Sequence, residues 1–260
     1  MDKLISSITN SYIKHLKKLQ TSRKYREQTG TFLLEGERPV TDAVNMGIIP
    51  VKIIITENYK GKAVQGDCLY ITEKVGEYLS DTITPQGIMA EMKIPEYNAE
   101  DISPENSPFL VYSDGVSDPG NLGTIVRSLT GAGANGLILS KGSVDLYNPK
   151  TVRSTMSAIF SLPIYRTKTA EVLNILKIKG YKIIGTRMED AENYTDTDLT
   201  SPSVFVMGNE AKGISDEVMA VCDSFISIPL VGNIESLNVG VATSLVAYEV
   251  LRQKNNKKGK

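Results

Sequence analysis

Apolar residues near the start of the chain recur at intervals of three or four, the spacing of one face of an amphipathic helix. The positions are Ile5, Ile8, Tyr12, Leu16 and Leu19. Short apolar runs that are typical of strands follow at 31–36, 51–56, 68–72 and 87–93. Helices are predicted at 37–46, where Gly47 supplies the stop, and at 74–80. Residues 1–96 are therefore predicted to form a small α/β domain.

From residue 109 onward, short apolar strands alternate regularly with helices. The predicted strands are 109–113, 136–140, 162–166, 181–186, 203–208 and 224–229. The predicted helices lie near 121–132, 149–158, 169–179, 214–222 and 236–253. This alternation predicts an α/β domain over 109–253 with a parallel sheet, whose ligands would bind at the carboxyl ends of its strands. The stretch 97–108 contains two prolines and no apolar pattern, so it is the predicted linker, and 254–260 is a basic tail.

The composition excludes several classes of protein. The chain has 260 residues, of which 41% are hydrophobic and 23% charged, the profile of an ordinary globular protein. One histidine and two cysteines are too few for a structural zinc site. A Ser-His-Asp triad is also disfavoured, because its base would have to be His15, which lies in a lysine-rich stretch. No apolar run is long enough for a membrane span, and the N-terminus lacks the apolar core of a signal peptide. The sequence predicts a cytoplasmic protein without metal or membrane.

The formal net charge of -1 hides two basic ends. Residues 1–30 carry seven lysines and arginines against two acids, and residues 252–260 carry five basic residues and no acid. Such ends are compatible with contact to RNA. They are equally compatible with solvated termini, and composition alone leaves both possibilities open.

The segment GAGANG at 131–136 matches the dinucleotide fingerprint G-x-G-x-x-G in letters but not in position. A true fingerprint follows a strand and opens a helix, so that the pyrophosphate meets free N–H groups. Here the glycines follow a predicted helix and precede a predicted strand. They are predicted to form a helix cap and turn, and this argues against a nucleotide-dependent oxidoreductase.

Three other polar segments follow predicted strands, where a ligand would bind. The segments are 114–128, 206–215 and 227–251. Asn121 is the predicted N-cap of the helix that contains Arg127. Glu210 lies in a glycine-punctuated loop, and Ser236 and Asn238 begin a long apolar helix.

In order and spacing, these segments resemble the three signature motifs of the SpoU/TrmH family of RNA ribose 2'-O-methyltransferases. The motif-bearing elements are DPGN-x5-R, the G-x-E loop, and IPL followed by SLNV-x-VA. A weaker resemblance, through FLLEGERPV and TPQGIMA, is to the family's L30e-like RNA-binding domain. The resemblance implies a SPOUT methyltransferase domain with a trefoil knot, a preceding L30e-like α/β domain, and a homodimer. The last helix is apolar on nearly every face, so its own domain or a partner subunit should bury it.

The resemblance also implies an activity: methyl transfer from S-adenosylmethionine to a ribose 2'-hydroxyl. We favour ribosomal RNA of the 23S type over tRNA as the substrate, and a non-catalytic RNA-binding protein of the same fold is the alternative from another class. The implied catalytic residues are Asn121, Arg127, Glu210, Ser236 and Asn238. Arg127 would act as the general base or as an electrostatic stabiliser. A guanidinium stays protonated, which favours binding of the adjacent phosphate and polarisation of the hydroxyl.

The implied cofactor and RNA sites occupy separate parts of the sequence. The cofactor residues would be Thr186, Met207, Gly208, Ile228, Pro229, Leu230 and Leu237. Taken without the resemblance, such positions are ordinary turns and core packing. The RNA contacts would be Arg38, Lys150 and Arg153. Near the last two, Thr155 and Ser157 stand where the family usually has serine and glycine, a departure that concerns substrate placement.

Overall fold

The computed structural model describes residues 4–258, which form two compact units. The first comprises residues 4–96 and 145–157, and the second comprises 97–144 and 158–258. No helix among the described residues is both long and apolar enough to cross a membrane.

The first unit is a four-stranded sheet with helices packed on it. Its elements are α1 (Ser11–Thr21), α2 (Arg23–Thr29), β1 (Thr31–Glu35), α3 (Glu37–Asn45), β2 (Lys52–Thr56), β3 (Cys68–Ile71), α4 (Glu73–Leu79), β4 (Ile88–Lys93) and, from later in the chain, α6 (Pro149–Thr155). The strand order is β1-β4-β2-β3, in which β2 and β3 are parallel and the other pairs antiparallel. The predicted strands and the helices at 37–46 and 74–80 are confirmed within one or two residues.

The first helix begins later than its apolar spacing predicts. Asn10 caps it, because the side chain of Asn10 accepts hydrogen bonds from the backbone N–H groups of Tyr12 and Ile13. Ile5 lies outside the helix and forms an isolated parallel bridge with Ile71. The helix still buries its apolar face, since Leu16 packs into the core between α1, α4 and the sheet.

Residues 145–157, predicted to belong to the second domain, pack into the first unit instead. Asp145 forms a buried ion pair with Arg26, with both side chains less than 10% exposed. The ring of Tyr147 packs on Phe32, with 4.7 Å between ring centroids. These partners are more than a hundred positions apart in the chain, so no local pattern could have assigned the segment.

The second unit contains a seven-stranded sheet in which every strand pair is parallel. Its elements are β5 (Phe109–Ser113), α5 (Pro119–Gly131), β6 (Gly136–Leu139), β7 (Ile164–Arg166), α7 (Glu171–Ile178), β8 (Lys182–Thr186), β9 (Glu192–Asn193), β10 (Ser203–Met207), α8 (Asp216–Met219), β11 (Ser224–Ser227) and α9 (Val239–Lys258). The strand order is β7-β6-β5-β10-β8-β11-β9. The predicted α/β class and the six predicted strands are confirmed, and the two-residue strand β9 was not predicted.

The predicted linker is a packed part of the second unit. Ile102 is 1% exposed and lies in the same core cluster as Leu110 on β5. Lys179 donates to the carbonyl of Ile102, and the Tyr181 hydroxyl donates to the carbonyl of Ser107. These contacts anchor a stretch that carries no periodic signal of its own.

Two local features of this unit bear on the sequence predictions. Gly131 ends α5, and Gly133 has a φ of 71°, so GAGANG is a helix end and turn as predicted. Helix α9 is not buried on every face by its own chain. Val241, Leu245 and Tyr248 are 46%, 37% and 52% exposed and lie along one stripe of the helix.

Candidate active site

The central strands of the parallel sheet bring the three polar segments to one edge. β10 lies between β5 and β8, and β11 follows β8. The chain leaves β5, β10 and β11 at their carboxyl ends through the loops 114–118, 208–215 and 228–238. Parallel strands place such loops side by side, where ligands bind.

The start of α5 differs in one respect from the prediction. Asp118, and not Asn121, is the N-cap, since the Asp118 carboxylate accepts a hydrogen bond of 2.8 Å from the backbone N–H of Asn121. Pro119 occupies the first helical position, where no N–H is needed. The side chain of Asn121 is therefore released from capping and is available for other contacts.

Glu210 accepts hydrogen bonds from several donors of the neighbouring loop. Asn121 Nδ2 donates to it at 2.9 Å, and the backbone N–H groups of Ser117 and Asp118 donate at 3.2–3.3 Å. Asn209 Nδ2 adds a bond of 3.2 Å. Burial alone would raise the pKa of the Glu210 carboxyl, but these hydrogen bonds outweigh it and lower the pKa to about 2. Glu210 is thus an anion that joins two of the three segments.

Asn238 connects the third segment to the same network. Its Oδ1 caps α9 by accepting from the N–H groups of Gly240 at 2.9 Å and Val241 at 3.3 Å. Its Nδ2 donates to Oδ1 of Asn121 at 2.8 Å. Asn238, Asn121 and Glu210 therefore form one continuous chain of hydrogen bonds across all three segments.

Arg127 lies on α5, and its side chain is exposed. Among the described residues, no hydrogen bond or ion pair engages its guanidinium, so its donors are available to a ligand. Close packing against α9 fixes the helix that carries it. A Cβ on Gly240 would lie 3.0 Å from Thr124, and Ser128 Oγ and Ser244 Oγ are 2.6 Å apart. Contacts that advance together along both helices show that α5 and α9 run parallel.

A cavity of about 400 Å³ opens beside this network. The predicted cofactor residues that line it are Thr186, Ile228, Leu230 and Leu237. Ser236, predicted to cap the last helix, does not do so, because α9 begins at Val239 and Asn238 caps it. Ser236 lines the cavity instead. The lining residues that sequence reasoning missed are Arg187, Met188, Lys212, Gly213, Ile214, Met219, Ile226 and Ala242. Lys212 and Ile214 lie in the 206–215 loop and Ile226 on β11, places that the strand-end argument could have indicated, whereas Met219 on α8 and Ala242 on α9 carried no such signal.

Three predicted cofactor residues are not lining residues. The Met207 side chain is 2% exposed within β10, and Pro229 is exposed. Gly208 has a positional role, because a Cβ there would lie 2.3 Å from the carbonyl carbon of Gly213. Glycine at this position lets the end of β10 pass directly against the returning loop.

The cavity fits an adenosyl group by its walls and its free backbone groups. Its lining is largely apolar, with Ile228, Leu230 and Leu237 on the loops, and the cations Arg187 and Lys212 also line it. Among the described residues, the backbone N–H and C=O groups of these three make no hydrogen bond. Free backbone donors and acceptors beside an apolar wall can bind the edge of a base without charged side chains.

The predicted RNA-binding residues belong to the first unit. The Arg38 side chain is 74% exposed and lies 3.8 Å from Asp42, while Arg153 pairs with Asp81 at 2.8 Å. Arg38 and Arg153 line one cavity of that unit, and Lys150 is exposed but does not line it. The part of the chain that the structure describes holds no group of three or more potential metal-ligating side chains.

In a comparison with known proteins, two separate parts of the chain match models of protein families. A model of the SpoU rRNA Methylase family matches residues 108–248, and a model of the MRM3-like substrate binding domain matches residues 10–90. The chain is 32% identical to the 23S rRNA (guanosine(2553)-2'-O)-methyltransferase RlmP of Bacillus subtilis, over 95% of this chain and 99% of that protein.

Two solved structures are similar over the whole chain. The AdoMet-bound rRNA methyltransferase of Sinorhizobium meliloti has 30% identity and a TM-score of 0.86, covering 96% of this chain and 97% of that one. The SpoU methyltransferase AviRb of Streptomyces viridochromogenes, in complex with AdoMet, has 28% identity and a TM-score of 0.84, covering 95% of this chain and 100% of that one. This chain belongs to the SpoU rRNA methylase family.

Proposed function

We propose that this protein transfers a methyl group from S-adenosylmethionine to a ribose 2'-hydroxyl of ribosomal RNA of the 23S type. The observation that carries the proposal is the hydrogen-bonded chain from Asn238 through Asn121 to Glu210, which joins the three loops at the strand ends, next to the cavity that Ser236 and Leu237 line. The similarity to RlmP over nearly the whole chain supports the substrate class.

The cavity at the carboxyl ends of the strands is the cofactor site of this proposal. Ile228, Leu230 and Leu237 hold the adenosyl part through apolar contact and free backbone groups, and Thr186, at the end of β8, also lines the cavity. S-adenosylmethionine supplies a methyl group on a sulfonium, which is a good leaving group and requires no metal.

The polar residues orient the hydroxyl that accepts the methyl group. Arg127 binds the phosphate next to the target ribose and polarises the 2'-hydroxyl, since a guanidinium with a pKa above about 12 donates hydrogen bonds and does not accept a proton. As the bond between the 2'-oxygen and the methyl group forms and the bond between methyl and sulfur breaks, the hydroxyl proton passes to solvent water. Asn121 and Asn238 hold the starts of α5 and α9 in register, and Glu210 holds the loop before α5. Ser236 lies at the cavity, where it contacts cofactor or ribose.

The first unit binds the RNA in this proposal. Arg38, Lys150 and Arg153 contact phosphates, which position an RNA without reading its sequence. The match of residues 10–90 to a substrate binding domain supports this assignment.

The assembly is a homodimer of cytoplasmic, trefoil-knotted subunits. The exposed apolar stripe of Val241, Leu245 and Tyr248 on α9 supports a second copy as the element that covers it. The knot follows from membership of the family and stays a prediction.

The test is transfer of label from radioactive S-adenosylmethionine to ribosomal RNA and to tRNA in separate reactions. We expect alkali-resistant label in ribosomal RNA, abolished by Arg127→Ala and retained by the matched control Lys74→Ala, which removes an exposed cation outside the site. The cofactor should still raise the melting temperature of Arg127→Ala, because Arg127 does not line the cavity.

Each other outcome rejects a defined part of the proposal. Label in tRNA alone would replace the substrate. Cofactor binding without label in free RNA or in ribosomal particles would leave a non-catalytic RNA-binding protein. Absence of cofactor binding would reject the methyltransferase assignment.

A further inference from the structure

Two cationic side chains line the cavity at the carboxyl ends of the strands, and neither takes part in the hydrogen-bonded network that joins the three polar segments. Arg187 follows β8 directly after Thr186, and Lys212 lies in the loop after β10. Both residues are exposed. An adenosyl group is uncharged at neutral pH apart from its sulfonium, so apolar walls that fit it do not account for two cations.

The guanidinium of Arg187 is fixed by its surroundings. Its Nε and Nη2 donate to the carbonyl oxygen of Asp190 at 3.2 and 2.6 Å. The ring of Phe225 on β11 packs against its face, with 3.9 Å between Arg187 Cζ and the ring centroid. A side chain that is already held in one orientation loses little conformational entropy when it binds a ligand.

These contacts leave one edge of the guanidinium unused. An arginine side chain has five N–H donors, one on Nε and two on each of Nη1 and Nη2. The Asp190 carbonyl accepts from Nε and from one donor of Nη2. Among the described residues, no acceptor contacts Nη1 and no carboxylate pairs with Arg187. The remaining parallel donors of Nη1 and Nη2 match the two oxygens of one carboxylate.

Lys212 supplies a charge without such a direction. Its backbone N–H donates to Asn209 Oδ1 at 3.2 Å and so fixes the loop. Its ammonium group makes no hydrogen bond or ion pair with any described residue. An ammonium group on a flexible stem acts as a point charge. Lys212 therefore adds positive potential to the cavity, whereas Arg187 offers a defined pair of donors.

The charges of the cofactor decide which part of it these cations can bind. S-adenosylmethionine has a cationic sulfonium, a cationic α-ammonium and one anionic group, the α-carboxylate. Cations that faced the sulfonium or the ammonium would oppose binding. The cavity therefore suits this cofactor when the adenosyl part lies on Ile228, Leu230 and Leu237 and the carboxylate lies against the cations.

A phosphate of the RNA is the competing anion for Arg187. The position of the side chain favours a ligand inside the cavity, because Arg187 follows Thr186 directly and both residues line it. The bonds to Asp190 and the contact with Phe225 hold the guanidinium there.

We propose that the Nη1 and Nη2 edge of Arg187 binds the α-carboxylate of S-adenosylmethionine, with Lys212 adding to the positive potential. This inference rests on the proposed function, because it requires the cofactor in this cavity. It assigns a cofactor-binding residue outside the three polar segments, and it separates recognition of the amino-acid end of the cofactor from recognition of its adenosyl end.

The experiment measures binding in the absence of RNA. The full chain is titrated in a calorimeter with S-adenosylmethionine and with decarboxylated S-adenosylmethionine, which retains the sulfonium and the amine but has hydrogen in place of the carboxylate. Arg187→Gln removes the charge and the paired donors, and Arg187→Lys retains the charge alone. Lys182→Gln is the matched control, because Lys182 is an exposed cation at the start of the same strand and does not line the cavity.

We expect the wild type and Lys182→Gln to bind S-adenosylmethionine at least about tenfold more tightly than the decarboxylated form, as for one charge-assisted pair of hydrogen bonds. In Arg187→Gln the two ligands should bind within about twofold of each other, because the group that distinguishes them has lost its partner. Arg187→Lys should give an intermediate ratio, since an ammonium group cannot form the paired bonds.

Three results would overturn the inference. The first is a wild type that binds the two ligands equally. The second is a ratio that stays unchanged in Arg187→Gln, which includes an equal weakening of both ligands. The third is an unchanged ratio together with a raised KM for RNA, which would assign Arg187 to the RNA. If Arg187→Gln does not fold, an unchanged ratio in Arg187→Lys has the same consequence.

The proposed function is measured in the same preparations by methyl transfer to ribosomal RNA and can fail separately. Methyl transfer by a wild type that binds both ligands equally would retain the activity and reject the role of Arg187. The expected ratios without label in any RNA would reject the activity and retain the carboxylate contact. Absence of binding of either ligand would reject both.

Discussion

Replacing Glu210 by glutamine tests whether one carboxylate holds the signature segments together. The carboxylate accepts hydrogen bonds from Asn121 Nδ2, from Asn209 Nδ2 and from the backbone of Ser117 and Asp118. Glutamine preserves the shape but exchanges one acceptor oxygen for an NH₂ donor, so at least one of these donors would then face another donor. The substitution should lower the free energy of unfolding and misplace Asn121.

The size of the effect follows from the pKa of Glu210. Burial opposes ionisation, but the hydrogen bonds prevail and lower the pKa from 4.5 to about 2. At about 1.4 kcal/mol for each pKa unit, this difference corresponds to roughly 3 kcal/mol. Glu210 is exposed, and screening by solvent reduces the expected loss to about 1–2 kcal/mol.

The sign of the pH dependence is fixed by the same shift. The pKa of Glu210 is lower in the folded than in the unfolded chain, so its stabilisation is complete above about pH 4.5. It is lost as the pH falls from there towards about 2, where the folded carboxyl takes up its proton. The difference in stability between wild type and Glu210→Gln should shrink over this window.

The assay is denaturant unfolding of both proteins at a series of pH values between about 7 and 3. Comparing the two proteins cancels the contributions of the other carboxylates. Glu77→Gln is the control, because Glu77 is an exposed glutamate on α4 outside the network. A stability difference that stays the same at about pH 3 as at pH 7 would refute the reasoning, since the loss would then come from packing and not from charge.

Three further substitutions test other parts of the structure. Leu237→Trp fills the cavity proposed as the cofactor site and should abolish the rise in melting temperature caused by S-adenosylmethionine; a retained rise would exclude that cavity as the cofactor site. Asp145→Asn breaks the buried ion pair with Arg26 and should lower the free energy of unfolding by about 3–5 kcal/mol in denaturant titration; a loss below about 1 kcal/mol would contradict this. Leu245→Glu charges the exposed stripe of α9 and should give monomers in sedimentation equilibrium, whereas an unchanged dimer would place the interface elsewhere.

The sequence predicted most elements because short apolar runs and glycine stops are local signals. Every predicted strand lies within two residues of an observed one at its start. The assignment of residues 145–157 failed because it depends on the contact of Asp145 with Arg26, which lies 119 positions earlier. The start of α1 was misplaced because the apolar spacing continues through Asn10, whose capping side chain begins the helix.

The hydrogen bonds that join the candidate site residues could not be predicted from the sequence. Glycine and proline at strand ends indicated where a ligand would bind, and the family resemblance supplied the identities of the polar residues. The hydrogen bond between Asn238 and Asn121 joins residues 117 positions apart, and no local sequence pattern around either residue indicates the other as its partner. The choice of N-cap also needed coordinates, because Asp118 and Asn121 are both favourable capping residues.

Helix capping and contacts between loops are often treated as competing explanations for an asparagine, and here different atoms serve the two roles. Asp118 caps α5 and so frees the Asn121 side chain, whose amide nitrogen meets Glu210 and whose oxygen meets Asn238. Asn238 divides its amide in the same way, because Oδ1 caps α9 while Nδ2 reaches Asn121. Each amide is used at both ends, so a change that preserves the cap alone still breaks the chain of bonds. The helix that carries Arg127 is therefore held at its start by the same contacts that begin α9.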